Sequence, residues 1–337
     1  MKAVVVDAPG RARVIEIPEP PGAAQGESLL QVRRIGLCGT DLNTFRGKNP
    51  MVTYPRILGH EVAATVIGGP PDESATAARN VTLSPYTACG KCPSCRRGRV
   101  NACQFNQTLG VQRDGAATER MTYASDKLYS GNLSLEELCL VEPLTVGVHA
   151  SARGEVGGDD TVAIFGCGGV GLGAVAGAAF RGARVIAIDV DDKKLELARA
   201  AGATDVIHSS REDLHERLSR LTSGEGPSCV IEAIGLPQTF RAAVEEVAFS
   251  GRVVYIGYAK EPVCYETRLF VQKELQILGS RNALPEDFLE VIRMLEAKRF
   301  PVQQSISAIV PIEEAPDMLR RWSEDPSSFA KIMVKIS

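Results

Sequence analysis

Four cysteines close together in the chain carry the clearest chemical signal. Cys89, Cys92, Cys95 and Cys103 have the spacing C-x2-C-x2-C-x7-C. Four thiolates in one short loop can complete a tetrahedral shell around zinc without ligands from elsewhere. The alternative to zinc is an iron–sulfur cluster, for which the common bacterial cysteine motif ends in C-x3-C-P. Here the last gap is seven residues and Gln104 follows. The spacing therefore predicts a structural zinc.

A second set of possible metal ligands is dispersed along the chain. Cys38 stands in G-L-C-G-T-D, His60 and Glu61 stand side by side, and Glu142 lies in V-E-P-L. A catalytic zinc needs three protein ligands and an open position for water or substrate. A single cysteine or histidine is weak evidence, because such residues are common in cores. It is the combination that favours a catalytic metal site.

A glycine-rich segment follows a predicted strand directly and precedes a predicted helix. It fits G-x-G-x-x-G, in which the first glycine permits a tight turn, the second a close approach to pyrophosphate and the third close helix packing. The start of the helix offers N–H groups and a positive dipole to phosphates. We expect this segment to bind a dinucleotide; its residues are Gly166, Cys167, Gly168, Gly169, Val170 and Gly171.

An acidic residue lies where such a fold places the adenosine ribose. Asp189 comes eighteen residues after Gly171, at the end of the next predicted strand. An acid there accepts hydrogen bonds from the ribose 2′-hydroxyl and favours NAD over NADP. Lys193 and Lys194 lie close enough to interact with a 2′-phosphate, so Lys194 is also a candidate cofactor residue. NAD is the predicted cofactor.

The elements that must position these residues change character along the chain. Residues 1–145 predict short strands separated by Gly and Pro, and residues 286–337 return to mixed helix and strand. Between them, apolar strands alternate with helices, which predicts βαβ units in a doubly wound parallel sheet. The predicted strands of this sheet are Thr161–Phe165, Arg184–Ile188, Asp205–Ile207, Cys229–Glu232, Arg252–Ile256 and Leu275–Leu278.

The composition is that of an ordinary globular protein. The 337 residues are 44% hydrophobic and 23% charged, with a formal net charge of −3. This balance excludes disorder and coiled coil and argues against nucleic acid as a partner. We expect no membrane span, since no apolar run approaches the required length. With no signal peptide at the start, we expect a cytoplasmic protein whose nine cysteines are ligands or core residues, not disulfides.

The order of these motifs resembles the zinc-dependent medium-chain dehydrogenase/reductase family. The motifs are G-x-C-G-T-D, G-H-E, the four-cysteine loop, V-E-P-L-x-V-G-x-H and G-x-G-x-x-G, and they span nearly the whole chain. The resemblance implies an α/β protein with a GroES-like β-rich catalytic domain that carries both zincs, formed by 1–145 and 286–337. A Rossmann NAD-binding domain, 146–285, is inserted in it. A glutamate at position 142 resembles the polyol branch of the family, which includes sorbitol and threonine dehydrogenases.

The resemblance also implies roles for single residues. Cys38, His60 and one acid would hold the catalytic zinc, and that acid is Glu61 or Glu142, since the branch uses either position. Thr40 matches the hydroxyl that hydrogen-bonds the substrate oxygen. The implied activity is oxidation of a secondary hydroxyl of a sugar acid or polyol, L-galactonate for example, with NAD as hydride acceptor. The family implies a homodimer or homotetramer.

One departure from the family concerns the proton. The family often has a histidine three residues after the threonine, but here that position is Asn43. Asparagine cannot act as an acid or base near neutral pH. The proton must then leave through water, Asp41 or the cofactor ribose.

The substrate is the least constrained part of the prediction. A sugar acid needs a cation for its carboxylate, and the candidates are Arg113, Arg46 and Arg281, with Asn282 as a hydroxyl partner. Each arginine could instead form a salt bridge, and Arg281 could contact the cofactor. Two alternatives remain: an L-threonine or simple secondary alcohol dehydrogenase, and a non-catalytic zinc- and nucleotide-binding protein.

Overall fold

The computed structural model describes residues 1–69 and 79–336. Contacts divide the chain into two compact units. Unit 1 comprises Met1–Glu142, Leu284–Ile292 and Val302–Ser337, and unit 2 comprises Pro143–Ala283 and Arg293–Pro301.

The boundaries of the two units lie near the predicted domain boundaries at 145/146 and 285/286. The chain passes from one unit to the other after Glu142 and after Ala283, two or three residues before the predicted boundaries. The segment Arg293–Pro301 also belongs to unit 2, because the helix Pro285–Glu296 begins in unit 1 and ends in unit 2. The predicted assignment of 146–285 as the NAD-binding domain stays a prediction.

Strands occur throughout the described residues. They are β1 Lys2–Ala8, β2 Arg11–Glu16, β3 Glu27–Leu37, β4 Arg56–Ile57, β5 Glu61–Gly68, β6 Asn80–Leu83, β7 Arg120–Ala124, β8 Leu128–Tyr129, β9 Thr161–Phe165, β10 Arg184–Asp189, β11 Asp205–His208, β12 Cys229–Glu232, β13 Arg252–Tyr255, β14 Gln276–Gly279, β15 Ile306–Pro311 and β16 Lys331–Lys335.

Helices are concentrated in the second half of the chain. They are α1 Gly39–Phe45, α2 Pro93–Arg96, α3 Leu135–Arg153, α4 Gly169–Phe180, α5 Asp192–Ala200, α6 Leu214–Leu221, α7 Pro237–Glu246, α8 Arg268–Gln272, α9 Pro285–Glu296, α10 Val302–Ser305 and α11 Ala315–Glu324. Within the described ranges, no helix combines the length and the apolar character that a membrane crossing requires.

The described residues of unit 1 form two β-sheets. Its seven-stranded sheet has the order β15-β16-β3-β5-β6-β8, with β7 paired to β3, and its smaller sheet has the order β2-β1-β4. Strand β3 buries alternate residues such as Leu30 and Val32, as period-two geometry requires. These side chains join Val62 and Trp322 in one apolar core. The sheet thereby fixes the ends of β3 and β5, where the candidate ligands lie.

Unit 2 contains the predicted parallel sheet. Its order is β11-β10-β9-β12-β13-β14, and every neighbouring pair is parallel. The six predicted strands are confirmed, each with bounds within one residue of the prediction. The chain runs from β9 outward to β11 and then returns to β12 on the other side of β9. This reversal between β9 and β12 is the switch point at which doubly wound sheets bind ligands.

Candidate functional site

The four predicted zinc-binding cysteines lie together after strand β6. Cys92 immediately precedes helix α2, and Cys103 follows a short 3-10 helix. The four sulfur atoms of Cys89, Cys92, Cys95 and Cys103 all lie within 4.8 Å of one another. The local fold therefore gathers all four thiols at one point.

The distances and charges of this cluster fit zinc. Four sulfurs at about 2.3 Å from a tetrahedral ion would be about 3.8 Å apart, and Cys92 Sγ lies 4.0 Å from Cys103 Sγ. Backbone N–H groups point at the sulfurs: the N–H of Cys92 donates to Cys89 Sγ at 3.3 Å, and that of Phe105 to Cys103 Sγ at 3.4 Å. The Ser94 hydroxyl and backbone N–H groups lower the pKa of Cys92 to about 5. Cys92 is thus poised to present a thiolate to a cation, whereas burial raises the pKa of Cys95 to about 11.

The second group brings together Cys38, His60 and Glu61. Their ligand atoms lie within 4.8 Å of one another. Cys38 follows the end of β3, Glu61 begins β5, and these two strands pair antiparallel with Gly36 opposite Glu61. A Cβ on Gly36 would lie 1.9 Å from Glu61 Oε2, so a larger residue would displace the carboxylate. The sheet register itself assembles the group.

Asp41 supports two of these three residues. Its Oδ2 accepts a hydrogen bond from the Cys38 N–H at 2.9 Å, and its Oδ1 lies 3.9 Å from His60 Nδ1. Neither Asp41 Oδ1 nor His60 Nδ1 has a hydrogen-bond partner within the described part of the chain, and both are buried. A carboxylate behind a histidine orients the ring for metal binding. The Asp41 carboxylate thus faces Nδ1 of His60 at a distance longer than a hydrogen bond.

Negative charge accumulates around His60. Burial alone would lower the pKa of His60, but Asp41, Cys38 and Glu142 outweigh it and raise the pKa well above its usual value. Burial has the opposite effect on the pKa of Glu142, which it raises, because it disfavours the charged carboxylate. Such a buried anionic group is costly without a cation. Its thiol, imidazole and carboxylate donors fit zinc.

The two candidate acids have different partners. Lys331 Nζ lies 2.6 Å from each carboxylate oxygen of Glu61. Burial alone would lower the pKa of Lys331, but Glu61 and Cys38 raise it, so the ammonium stays charged. Glu142 accepts a hydrogen bond from the Tyr86 hydroxyl, and burial raises the pKa of that phenol well above its usual value. The geometric group contains Glu61, and which acid binds the ion directly stays a prediction.

Thr40 and Asn43 lie on helix α1. Thr40 Oγ1 is 3.7 Å from Cys38 Sγ, so its hydroxyl stands beside a candidate metal ligand. Its contact with the substrate oxygen stays a prediction. Asn43 is exposed. Asp41, one of the predicted proton routes, is fully buried. Its position favours support of Cys38 and His60 over proton exchange with solvent.

The glycine-rich segment forms the turn between β9 and α4. Gly166 has φ = +93°, which glycine adopts without strain. A Cβ on Gly171 would lie 1.8 Å from the Gly166 carbonyl oxygen, so the helix packs against the turn as predicted. Gly168 directly precedes α4, and neither Gly168 nor Gly169 has an atom within 4 Å of an added Cβ. The backbone of the turn, with Val170 in the first turn of α4, is therefore open to a ligand.

Asp189 ends strand β10 beside this turn. Its Oδ2 accepts a hydrogen bond from the Cys167 N–H at 2.7 Å, and its Oδ1 accepts one from Val190 N–H at 2.7 Å. The carboxylate thus braces the glycine turn, a role that the motif did not predict. Lys194 lies in the first turn of α5, where its N–H is capped by Asp191. The cofactor roles of Asp189 and Lys194 stay predictions.

The predicted substrate residues fall in different units. The Arg113 guanidinium lies over the Tyr123 ring at 5.5 Å and donates to its hydroxyl at 2.9 Å. Arg46 is bonded to Ser323. Arg281 and Asn282 follow β14 in unit 2, and both have interactions of their own. Their roles in substrate binding stay predictions.

Three residues near the metal group were missed or underestimated from the sequence. Lys331 and Tyr86 had no motif signal, because each meets its acid through the fold, across 270 and 56 residues of chain. Asp41 stands inside G-x-C-G-T-D, only three residues after Cys38. That closeness to a candidate ligand is a signal from which its supporting role could have been predicted.

Two known families match the chain. Residues 24–132 match the family described as "Alcohol dehydrogenase GroES-like domain", and residues 169–297 match the family described as "Zinc-binding dehydrogenase". The predicted fold class, a GroES-like β-rich part with a Rossmann doubly wound sheet, is thereby confirmed.

Individual relatives match over almost the full length. A protein of Haemophilus influenzae described as an uncharacterized zinc-type alcohol dehydrogenase-like protein is 33% identical over 98% of this chain and 98% of its own. L-Galactonate-5-dehydrogenase of Escherichia coli is 30% identical over 91% of this chain and 90% of its own. The solved structure of RspB from E. coli CFT073, described as a short chain alcohol dehydrogenase complexed with NADH, has a TM-score of 0.91 at 27% identity and covers 100% of this chain and 99% of that one.

Proposed function

The chain belongs to the zinc-dependent medium-chain family of alcohol and polyol dehydrogenases, and from this premise we propose that it uses NAD to oxidise a secondary hydroxyl of a sugar acid or polyol. One observation carries the proposal: the ligand atoms of Cys38, His60 and Glu61 converge within 4.8 Å, with His60 and Glu61 buried and Cys38 partly exposed. A non-catalytic member of the family would have no need to keep this group complete.

Each side chain of the site would have a separate role in catalysis. Zinc, when bound, polarises the alcohol oxygen and lowers the pKa of the hydroxyl. Cys38 and His60 would hold the ion, with Glu61 or Glu142 as the acid. Lys331 balances the negative charge of Glu61. Without this balance, the additional negative charge would make the zinc ion a weaker Lewis acid. The structural cluster of four cysteines would hold a second zinc.

Thr40 would handle the substrate proton, because its hydroxyl lies 3.7 Å from Cys38 Sγ, beside the candidate metal ligands. Its Oγ1 would take up the proton of the substrate hydroxyl while giving up its own, so that the threonine stays neutral, and NAD, when bound, would supply the acceptor for the hydride of the carbon. The proton then leaves through water or the cofactor ribose, because Asn43 cannot relay it. We expect Thr40→Val to lower kcat by about a hundredfold or more and Thr40→Ser, which keeps the hydroxyl, to retain most of the activity.

Asp189 supports NAD as the cofactor. Its buried carboxylate would accept hydrogen bonds from a ribose 2′-hydroxyl and repel a 2′-phosphate. Similar solved structures hold NADH in one case and NADP in another, so the preference rests on Asp189. Kinetics with NAD and NADP at equal concentration test it, and a preference for NADP would overturn the assignment.

The substrate class rests on the polyol branch and on the relative named L-galactonate-5-dehydrogenase. A screen of galactonate, gulonate, sorbitol, galactitol and threonine, followed by NADH absorbance, separates the alternatives. Turnover of a sugar acid or polyol supports the proposal. Turnover of threonine alone would replace it with the threonine alternative, and tight binding of zinc and nucleotide without any turnover would favour a binding protein.

We further propose a cytoplasmic homodimer or homotetramer. Strand β14 is the edge of the parallel sheet, and three of its four residues are exposed. An unpaired edge of this kind can extend the sheet into a second subunit. Light scattering on the purified chain would show a dimer or tetramer, and a monomer would contradict the proposal.

A further inference from the structure

Glu232 is a fully buried carboxylate that lies outside the metal group and outside the glycine motif. It is the last residue of β12 and stands in register with Phe165 of β9 and Tyr255 of β13. It therefore lies at the carboxyl edge of the sheet, next to the turn that begins at Gly166. This edge, at the switch point between β9 and β12, is where a doubly wound sheet receives its ligand.

One oxygen of Glu232 fixes the segment that follows β12. Oε1 accepts hydrogen bonds from the N–H groups of Ile234 at 3.0 Å and Gly235 at 2.8 Å, and from the Thr239 hydroxyl at 2.7 Å. Thr239 lies in the first turn of α7. Three donors on one oxygen leave the chain between β12 and α7 little freedom.

The other oxygen of Glu232 faces the segment that follows β13. Oε2 is buried and has no hydrogen-bond partner within residues 1–69 and 79–336. A Cβ on Gly257 would lie 2.4 Å from Oε2 and 2.5 Å from Gly235 N, so the two segments meet at this carboxylate with no space for a side chain. The carbonyl of Glu232 also accepts from Ile256 N–H at 2.9 Å. One residue thus ties together the ends of β12 and β13.

These two segments border the glycine turn on the side away from Asp189. The N–H of Ala233 donates to the Phe165 carbonyl at 2.9 Å, and a Cβ on Gly166 would lie 2.6 Å from Ile234 Cγ1. Asp189 ends β10, on the opposite side of β9. With the adenosine ribose at Asp189 and the pyrophosphate at the turn, the rest of a dinucleotide must extend over β12 and β13.

We propose that Glu232 is a positioning residue for the nicotinamide half of the cofactor, holding the segments after β12 and β13 in the arrangement that this half requires. The inference rests on the proposed dinucleotide-binding function. The adenosine half, bound on the side of β10, does not depend on Glu232.

The test compares two nucleotides on the full-length, zinc-loaded protein. Isothermal titration measures the Kd of NADH and of AMP, which fills only the adenosine half, for the wild type and for Glu232→Gln. We expect NADH binding to weaken at least about tenfold, as for loss of a buried charged acceptor, while the Kd of AMP changes less than about twofold. Gly257→Ala, which places a methyl group against Oε2, should produce the same selective loss.

Asp160→Asn is the matched control. Asp160 is another mostly buried carboxylate of unit 2, which accepts hydrogen bonds from Gly157 N–H at 2.9 Å and Ser228 at 2.7 Å and pairs with Arg252. It precedes β9, at the opposite edge of the sheet. We expect its loss to lower stability and to leave both Kd values unchanged.

Each outcome of this comparison is decisive. Two results would overturn this inference and leave the proposed function standing. In the first, Glu232→Gln weakens the binding of AMP as much as that of NADH. In the second, Glu232→Gln and Gly257→Ala both bind AMP and NADH as tightly as the wild type does. A wild-type protein that binds neither nucleotide would overturn the proposed function and this inference with it.

Discussion

Lys331 Nζ lies 2.6 Å from both carboxylate oxygens of Glu61, and both side chains are almost completely buried. The pair joins the first residue of β16 to the first residue of β5. It places a compensating positive charge behind the candidate metal ligands. A buried ion pair of this kind depends on both members, because either one alone is a buried, uncompensated charge.

Removal of the lysine should therefore destabilise the protein strongly. We expect Lys331→Met to lower the free energy of unfolding by about 3–5 kcal/mol, since Glu61 is left buried without its partner. Urea unfolding of the zinc-loaded protein measures the change, and the zinc content of each variant is determined alongside, because Glu61 is also a candidate zinc ligand. The double variant Lys331→Met/Glu61→Gln, which removes both charges, should recover much of the loss. A single variant as stable as the wild type would show that the pair is not needed.

The four-cysteine cluster should hold its own zinc. Cys103→Ser removes a buried cysteine sulfur, and we expect the measured zinc content to fall from about two zincs per chain to about one. Loss of a structural zinc should also lower the thermal unfolding midpoint. Cys264→Ser is the control, because Cys264 is exposed and outside both groups. Retention of two zincs by Cys103→Ser would contradict the assignment.

Asp189 should affect NAD binding through two contacts. We expect Asp189→Ala to raise the KM for NAD by about tenfold to a hundredfold, because it removes the acceptor for the ribose and the brace on the Cys167 N–H. The KM for NADP should change less, since the repulsion of its 2′-phosphate disappears as well. Asp205→Ala, which removes a carboxylate paired with Arg184, should leave the cofactor preference unchanged. An unaltered preference in Asp189→Ala would disprove the role.

Asp160 should give a pH-dependent contribution to stability. Burial alone would raise the pKa of Asp160, but hydrogen bonds from Ser228 and Gly157 and the charge of Arg252 outweigh it and lower the pKa. A lowered pKa in the folded state stabilises the protein above the ordinary carboxyl pKa of about 4, and this stabilisation is lost as the pH falls below that value.

Asp160→Asn measures this contribution. We expect it to lower the free energy of unfolding by about 1–3 kcal/mol at neutral pH and by progressively less below about pH 4. Urea unfolding of both proteins across this range gives the difference at each pH. A difference that does not shrink in acid would show that ionisation of Asp160 is not its source.

The parts of the fold that depend on neighbours in sequence could be predicted. The four cysteines lie in one short loop, so their spacing alone indicated a shared site, and the alternation of apolar strands with helices indicated the parallel sheet. The glycine turn and Asp189 belong to adjacent strands of one βαβ unit. In each case the geometry follows from local structure and short connections.

Contacts between distant segments could not be predicted in the same way. Lys331 meets Glu61 only because β16 and β5 both pair with β3, and no spacing in the chain encodes that. Arg113 was predicted as a substrate cation, yet a nearby tyrosine stacks against it. The sequence indicated only that Glu232 ends a strand. Its proposed role depends on the segments after β12 and β13, which meet at its carboxylate only in the folded chain.

The catalytic role of the metal group is tested most directly by comparing wild type, Cys38→Ser and Cys264→Ser for zinc content and for NADH formation with the polyhydroxylated substrate that the screen identifies. We predict about two zincs per chain and steady turnover for the wild type and Cys264→Ser, but about one zinc and almost no NADH for Cys38→Ser. A Cys38→Ser protein that keeps the second zinc and oxidises the substrate at the wild-type rate would contradict the central claim.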